Sequence, residues 1–267
     1  MQFFGSHSFK VGLAIRSIGQ GPNLVLVHGG SGSRTHWFNN VEKLCASFTV
    51  ITLDLPGFGE SAKPPEGLST GEYLAWVAQA IRLSVDDRAY HLAGFSFGGA
   101  VSAGVAAMLA AQGHPPERLT LISPSGFGKP TGRAITLEKV PNRVDASLQD
   151  IKAVTARNLG RWMMAREPGI DDPAIDIHLR NVSLASFDSR VISHEDSLIK
   201  NLRGLHMPMQ ILLGEQDPLI FPSLAERKAL LNRSLPQARV ETIPGAGHWL
   251  PYEASGAVNT KISQFHL

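Results

Sequence analysis

The chain has 267 residues, of which 43% are hydrophobic and 18% are charged, and its formal net charge is +2. An ordinary apolar fraction with so small a net charge excludes an intrinsically disordered chain. The 25 basic residues nearly balance the 23 acidic ones, without the basic surplus of nucleic-acid binders, so we expect no nucleic-acid partner. The length predicts one large domain, or a domain that carries an insertion.

The cysteine content and the apolar segments favour a cytoplasmic protein. Cys45 is the only cysteine, so no internal disulfide can form, as is usual in a reducing compartment. Residues 1–10 have no basic segment followed by a long apolar run, so we expect no secretory signal. No stretch reaches the roughly 18 apolar residues that a membrane span needs. We expect a soluble protein with no membrane partner, and the sequence leaves open whether it forms a homo-oligomer.

Short apolar runs alternate with helical patterns along much of the chain. The runs are nearly continuous, as in strands that are buried on both faces of a parallel sheet. They lie at 23–28, 48–53, 89–94, 118–123, 209–213 and 238–243. Helical patterns suited to crossovers lie at 70–83, 97–111, 223–231 and 255–265. This alternation predicts an α/β fold with right-handed crossovers.

The alternation stops in the middle of the chain. Helical periodicity dominates there, at 146–164 and 174–187, and no strand is evident. A stretch of about 80 residues is too long for a plain connection. We therefore predict an α/β core at 1–126 and 206–267 and a helical cap at 127–205. Ligands bind at the carboxyl edge of open α/β sheets, so a cap over that edge would line the substrate pocket.

The sharpest chemical signal is the sequence GFSFGG at residues 94–99. It has the pattern G-x-S-x-G, it follows a predicted strand, and it opens an alanine-rich helix. So tight a turn strains its central residue, and glycines on either side avoid Cβ clashes. It pushes the Ser96 hydroxyl into the cleft and places the Phe97 N–H at a helix N-terminus, where anions are favoured. We predict that Ser96 is a nucleophile, and the alternative is a glycine-rich turn with an incidental serine.

A serine nucleophile needs an adjacent base, and two later motifs provide candidates. Two predicted strands are followed by GEQDP and GAGHW, so both motifs lie at the same sheet edge as Ser96. The order Ser96, Asp217, His248 is one of the known orders of a Ser–His–Asp triad. His248 would take the Ser96 proton and deliver it to the leaving group, while Asp217 orients the imidazole. Glu215 is the rival acid.

The glycine-rich sequence HGGSGS at 28–33 follows the first strong strand. Acyl chemistry needs two preorganised N–H donors for the developing oxyanion. We assign these donors to Gly30 and Phe97, because a glycine-rich loop lets the backbone approach the substrate closely. His28 is expected to position the loop, and the alternative for the whole segment is an ordinary turn.

The sequence GFGESA at 57–62 matches a dinucleotide-binding fingerprint. The fingerprint requires a helix to open directly after it, and here two prolines follow at 64–65. We therefore expect no dinucleotide. The chain also lacks Cys/His zinc spacing, so we expect no metal.

Four motifs described above and a fifth resemble, in their order along the chain, those of the α/β-hydrolase superfamily. They are HGGSGS at 28–33, DLPGFGES at 54–61, GFSFGG at 94–99, GEQDP at 214–218 and GAGHW at 245–249. The resemblance covers nearly the whole chain, and 127–205 stands in the place of that family's variable cap. It implies a mainly parallel eight-stranded sheet, a Ser–His–Asp triad and no cofactor.

A narrower likeness is to the meta-cleavage-product hydrolases, which hydrolyse a carbon–carbon bond in vinylogous diketo acids. It rests on HGGSGSRTHWFNN, on SPSGFG at 123–128 and on Trp249 directly after the predicted histidine. The cap helix of that family carries an arginine that holds the dienoate. Arg180 falls in a similar context.

The residue before the predicted nucleophile leaves an ester as an alternative substrate. Phe95 stands where the narrower family usually has asparagine, and Trp162 and Phe187 of the predicted cap would suit an apolar ester equally well. The residues expected to contact the substrate are Gly29, Ser31, Phe95, Trp162, Arg180 and Trp249.

The sequence thus predicts a serine hydrolase that acts on a small carboxylic ester or an activated carbon–carbon bond. A lactonase or a cofactor-free perhydrolase on the same fold is an alternative, since the fold does not determine the reaction. A non-catalytic ligand-binding protein is a third possibility. In each case the partner is a small molecule.

Overall fold

One eight-stranded sheet organises the molecule. The structure is a computed structural model that describes residues 6–132, 135–142 and 144–267. The strands are β1 (Ser6–Lys10), β2 (Leu13–Ile18), β3 (Asn23–Val27), β4 (Thr49–Leu53), β5 (Tyr90–Phe95), β6 (Leu119–Ile122), β7 (Met209–Gly214) and β8 (Ala238–Ile243). Their order in the sheet is β1-β2-β4-β3-β5-β6-β7-β8. β1 and β2 pair in an antiparallel manner and β3 to β8 are parallel, which confirms the predicted architecture.

Helices flank the sheet on both faces. They are a 3-10 helix (Arg34–Trp37), α1 (Val41–Leu44), α2 (Thr70–Ser84), α3 (Phe97–Ala111), α4 (Leu148–Trp162), α5 (Pro173–Leu184), α6 (Arg190–Ser193), α7 (Leu198–Arg203), α8 (Leu224–Ser234), α9 (Leu250–Glu253) and α10 (Ser255–His266). α2 begins at a capping box, in which the Ser69 hydroxyl accepts from the Glu72 N–H and the Glu72 carboxylate accepts from the Ser69 N–H.

The near-continuous apolar strands are explained by burial on both faces of the sheet. In β3, Val25 and Val27 face one hydrophobic core with α2 and α3, while Leu24 and Leu26 face a second core with α10. All four side chains are completely buried. This is the burial that the apolar run indicates for a central parallel strand.

The strands β1 and β2 are absent from the sequence-based element prediction. β2 has only three consecutive buried residues before Arg16 turns to solvent. The two strands are joined by Val11 and Gly12, which both have positive φ angles. The sequence lacks the asparagine–glycine or aspartate–glycine pair that makes such a hairpin recognisable.

The segment 127–205 is helical but packs in two different places. α4 and α5 contribute Leu159 and Ile175 to the core that contains α10, whereas α7 contributes Leu198 and Leu202 to the core that contains α3. α7 lies directly against α3. The division into a core at 1–126 and 206–267 and a cap at 127–205 is still a prediction.

A chain of buried polar side chains connects β6, β7 and β8 with α10. Thr120 Oγ1 lies 2.8 Å from His266 Nε2 and donates to Gln210 Oε1 at 3.3 Å. Gln210 Nε2 donates to Glu241 at 3.2 Å, and Glu241 also pairs with Lys261. The ring of His266 is therefore buried, with its Nε2 beside the uncharged hydroxyl of Thr120.

We expect His266 to lower the free energy of unfolding as the pH decreases. Burial, together with the nearby His91 and Arg118, lowers the pKa of His266 to about 3. The unfolded chain takes up the proton near pH 6.5 and the folded chain does not, so stability is retained above 6.5 and lost below it. At pH 5 the loss from this one group is about 2 kcal/mol.

Thermal unfolding of His266→Gln and of the unaltered protein between pH 7 and pH 5 measures this contribution. The variant should lose less stability over this interval than the unaltered protein. The same substitution at the exposed His206 controls for the loss of an imidazole. Parallel pH curves for His266→Gln and the unaltered protein would contradict the prediction.

Candidate active site

Ser96 occupies a strained turn between β5 and α3. Its backbone angles are φ 54° and ψ −117°, a conformation that non-glycine residues rarely adopt. A Cβ added to Gly94 would lie 2.4 Å from the Gly98 carbonyl oxygen, and one added to Gly98 would lie 2.2 Å from that of His28. The two glycines are therefore required by close backbone approach, and the strain holds the Ser96 side chain at the carboxyl edge of the sheet.

The three residues predicted as a triad lie in hydrogen-bonded succession. Ser96 Oγ is 2.8 Å from His248 Nε2, and His248 Nδ1 is 2.8 Å from Asp217 Oδ2. Because a carboxylate only accepts, Nδ1 carries the proton that faces Asp217 and Nε2 is left to accept from Ser96. Glu215, the rival acid, is exposed and accepts from the Gly245 N–H instead.

Asp217 is held as a buried carboxylate. Burial alone would raise its pKa, but the interaction with His248 and the hydrogen bond from the Leu219 N–H bring the pKa below its ordinary value. The Leu219 N–H donates to Oδ1 at 2.8 Å, on the side away from His248. Asp217 is therefore ionised at neutral pH and fixes the orientation of the imidazole.

The two predicted oxyanion donors lie side by side. Phe97 is the first residue of α3, where an N–H has no partner within the helix. Gly30 lies in the loop after β3, and a Cβ added to it would be 3.5 Å from Phe97 Cβ. Both residues line the cavity that contains Ser96.

Two buried histidines hold the loop that carries Gly30. His28 Nε2 accepts from the Leu55 N–H at 2.9 Å, and its Nδ1 donates to the Gly29 carbonyl at 2.7 Å. His36 Nδ1 accepts from the Gly29 N–H at 3.2 Å. Burial lowers the pKa of both imidazoles, so both stay neutral acceptors at physiological pH.

A cavity of about 910 Å³ lies over Ser96. Four of the predicted substrate-contacting residues line it: Gly29, Ser31, Phe95 and Trp162. The SPSGFG segment lines it too, and its Ser125 N–H donates to the Ser96 carbonyl at 3.0 Å. Residues of the lining that the sequence analysis did not single out include Ser189, Ile220, Phe221 and Arg227. Their positions depend on how chain segments distant from Ser96 pack, for which the sequence has no local signal.

Two predicted substrate-contacting residues lie outside the cavity lining. Trp249 is completely buried, and its indole N–H donates to the His36 carbonyl at 3.1 Å. Arg180 is exposed on α5. The next residue, Asn181, faces inward instead, and successive residues of a helix point about 100° apart. The helix phase therefore turns the arginine to solvent.

The loop that carries His248 is hydrogen-bonded to the segment 127–205. The Trp249 N–H donates to the Met163 carbonyl at 2.7 Å. The Glu253 carboxylate accepts from the Gly247 N–H at 2.7 Å and from the Ala165 N–H at 2.9 Å. A Cβ on Gly247 would come within 2.4 Å of the Ala165 nitrogen. The backbone on both sides of His248 is thus fixed by this segment.

Within residues 6–132, 135–142 and 144–267, no helix is long and apolar enough to cross a bilayer. The same residues hold no cluster of three or more His, Cys, Asp or Glu side chains that could bind a metal ion.

Two curated relatives match most of this chain. A relative from Pseudomonas putida, the dihydrolipoyllysine-residue acetyltransferase component of an acetoin cleaving system, is 32% identical over 92% of this chain. This chain spans only 63% of that relative's length. The pimeloyl-[acyl-carrier protein] methyl ester esterase of Vibrio campbellii is 29% identical, over 84% of this chain and 86% of its own.

Solved structures agree with the sequence relatives. A crystal structure described as a candidate aryl esterase from Burkholderia cenocepacia superimposes with a TM-score of 0.75. It is 28% identical, and the match covers 95% of this chain and 93% of that chain. The family model described as "Alpha/beta hydrolase family" matches residues 24–260, and the chain therefore belongs to the alpha/beta hydrolase family.

Proposed function

We propose that the protein is a serine hydrolase that cleaves small carboxylic esters through an acyl intermediate on Ser96. The observation that carries the proposal is the hydrogen-bonded succession Ser96, His248, Asp217 at the wall of a 910 Å³ cavity. A serine hydroxyl becomes a competent nucleophile when a base that is oriented by a third group lies within hydrogen-bond reach.

The geometry supports a two-step reaction. Ser96 Oγ attacks the ester carbonyl carbon while its proton passes to His248 Nε2, and the carbonyl oxygen becomes an oxyanion that accepts from Gly30 and Phe97. The tetrahedral intermediate collapses, and the alcohol leaves with the proton from His248. Water then attacks the acyl group with His248 as base, and Ser96 is regenerated. Asp217 stays ionised throughout and stabilises the imidazolium.

The cavity wall and the relatives both favour an ester substrate. Aromatic side chains of Phe95, Phe97, Phe127, Phe187 and Phe221 line the cavity. Such a wall suits apolar acyl and alcohol groups. Two of the similar proteins are described as esterases. The resemblance to the meta-cleavage-product hydrolases assigns the dienoate to Arg180, and Arg180 is exposed outside the cavity lining, so the residue on which carbon–carbon bond hydrolysis rested does not face the cavity.

A fluorophosphonate probe tests the nucleophile. The folded protein should be labelled once, on the peptide that contains Ser96, and heat-denatured protein should not be labelled. Absence of labelling in folded protein would favour the non-catalytic alternative. A panel of 4-nitrophenyl esters of graded chain length, compared with a ring-fission dienoate, then determines the bond that is cleaved. Turnover of the dienoate alone would overturn the ester proposal.

A further inference from the structure

Ser189 brings a hydroxyl from the segment 127–205 to the candidate oxyanion donors. Its Oγ is 2.4 Å from the position that a Cβ on Gly30 would occupy, and Phe97 Cβ is 3.5 Å from that same position. The hydroxyl therefore fills the space that the missing side chain of Gly30 leaves open. Ser189, Gly30 and Phe97 all line the cavity.

The Ser189 hydroxyl has no hydrogen-bond partner among the described residues. Ser189 directly precedes α6, yet its side chain does not cap that helix. Serine at this position commonly accepts from the N–H groups of the first turn. Here the hydroxyl is directed elsewhere and can donate to a ligand in the cavity.

The backbone around Ser189 is held in place before any substrate binds. The Ser186 N–H donates to the Gly57 carbonyl at 2.8 Å, and the Ser186 hydroxyl donates to the same oxygen at 3.2 Å. The Ser189 carbonyl accepts from the Ser193 N–H at 2.9 Å. Donors fixed in advance stabilise a developing charge best, because they need no reorganisation during the reaction.

The carboxylate of the preceding residue, Asp188, is already neutralised. Asp188 makes a two-point ion pair with Arg190, with Nε–Oδ1 and Nη2–Oδ2 distances of 2.8 Å. The guanidinium lowers the pKa of Asp188. The local charge therefore balances and does not oppose the formation of an oxyanion beside Ser189.

We propose that Ser189 is a third oxyanion donor and thus a catalytic residue. Its O–H donates to the oxygen that the substrate carbonyl becomes in the tetrahedral intermediate, beside the N–H groups of Gly30 and Phe97. The hydrogen bond strengthens as charge develops and no proton is transferred, so the proton balance of the reaction is unchanged. The inference rests on the proposed serine hydrolase function and assigns the segment 127–205 a part in the chemistry.

Steady-state kinetics of Ser189→Ala and Ser189→Thr on 4-nitrophenyl butyrate test the proposal. Loss of one oxyanion donor typically lowers kcat by about 10²- to 10³-fold, and with two donors left we expect a fall of about 10-fold or more in Ser189→Ala. KM should stay within about two-fold, because the interaction strengthens only in the transition state. Ser189→Thr keeps a hydroxyl and should recover most of the loss.

A boronic acid separates a catalytic hydroxyl from a structural one. Phenylboronic acid forms a tetrahedral anion on the nucleophilic serine, so its inhibition constant should rise in Ser189→Ala by about the factor by which kcat falls. Ser183→Ala is the matched control, because this exposed hydroxyl of α5 donates to the Arg180 carbonyl and does not line the cavity. It should change neither quantity.

The outcomes distinguish this inference from the proposed function. If Ser189→Ala leaves kcat and the inhibition constant unchanged, the third donor is refuted and the serine hydrolase stands. If kcat falls while the inhibition constant stays the same, the loss does not come from stabilisation of the tetrahedral anion and the inference is also refuted. If the unaltered protein neither turns over esters nor reacts with the fluorophosphonate, the proposed function fails and the inference fails with it.

Discussion

Replacing Ser96 by alanine is expected to lower kcat for 4-nitrophenyl butyrate by about 10⁵- to 10⁶-fold, the range seen when the nucleophile of a comparable triad is removed. The substitution deletes the hydroxyl that lies 2.8 Å from His248 Nε2, and no acyl intermediate can then form. Alanine occupies the same backbone conformation with a side chain of nearly the same size. The fold should therefore be retained, which circular dichroism and thermal unfolding verify.

Ser102→Ala is a suitable control for this experiment. Ser102 lies on the same helix as the nucleophilic turn, and its buried hydroxyl has no hydrogen-bond partner among the described residues. Its removal tests whether any loss of a serine near the site lowers activity. We expect Ser102→Ala to keep the activity of the unaltered protein. If purified Ser96→Ala kept a tenth of the original kcat, some other group would be the nucleophile.

The candidate triad could be predicted from the sequence because its positions are tied to backbone geometry. Strands that are buried on both faces have an unmistakable apolar pattern, and their carboxyl ends meet at one edge. Ser96 and Asp217 follow such strands, β5 and β7, whereas His248 follows the edge strand β8, which is only partly buried. The glycines around Ser96 mark a turn that only residues without a side chain permit, as the close approach of Gly98 to the His28 carbonyl shows.

The walls of the cavity could not be predicted in the same way. Whether Arg180 or Asn181 faces the interior depends on the rotation of α5 about its axis, which is set by packing against distant residues. In the structure, Asn181 Oδ1 accepts from the Ser33 hydroxyl at 2.8 Å and from the Thr35 hydroxyl at 3.0 Å. These contacts span nearly 150 positions of the chain. No local pattern around Ser189 indicates that its hydroxyl reaches Gly30.

Replacing Asp54 by alanine should cause the largest loss of stability of any single substitution proposed for this protein. The Asp54 side chain is 1% exposed. It accepts from the Arg34 N–H at 2.8 Å, from the Glu60 N–H at 2.9 Å and from the Arg34 guanidinium. Without it, a guanidinium that is only 13% exposed is left with its ion pair to the partly exposed Glu60. Breaking a buried ion pair from one side typically costs about 3–5 kcal/mol.

This cost corresponds to a fall of roughly 10 °C in the midpoint of thermal unfolding for a chain of this size. Glu60→Gln is the matched control, because it removes the partly exposed half of the same network, where an ion pair is worth about 1 kcal/mol or less. If both variants lost the same small amount of stability, the Arg34–Asp54 pair would be only a surface contact. Arg34 directly follows the loop that carries Gly30, so Asp54→Ala should also lower kcat at temperatures where the variant is still folded. That effect would show that the buried ion pair maintains the position of an oxyanion donor as well as the fold.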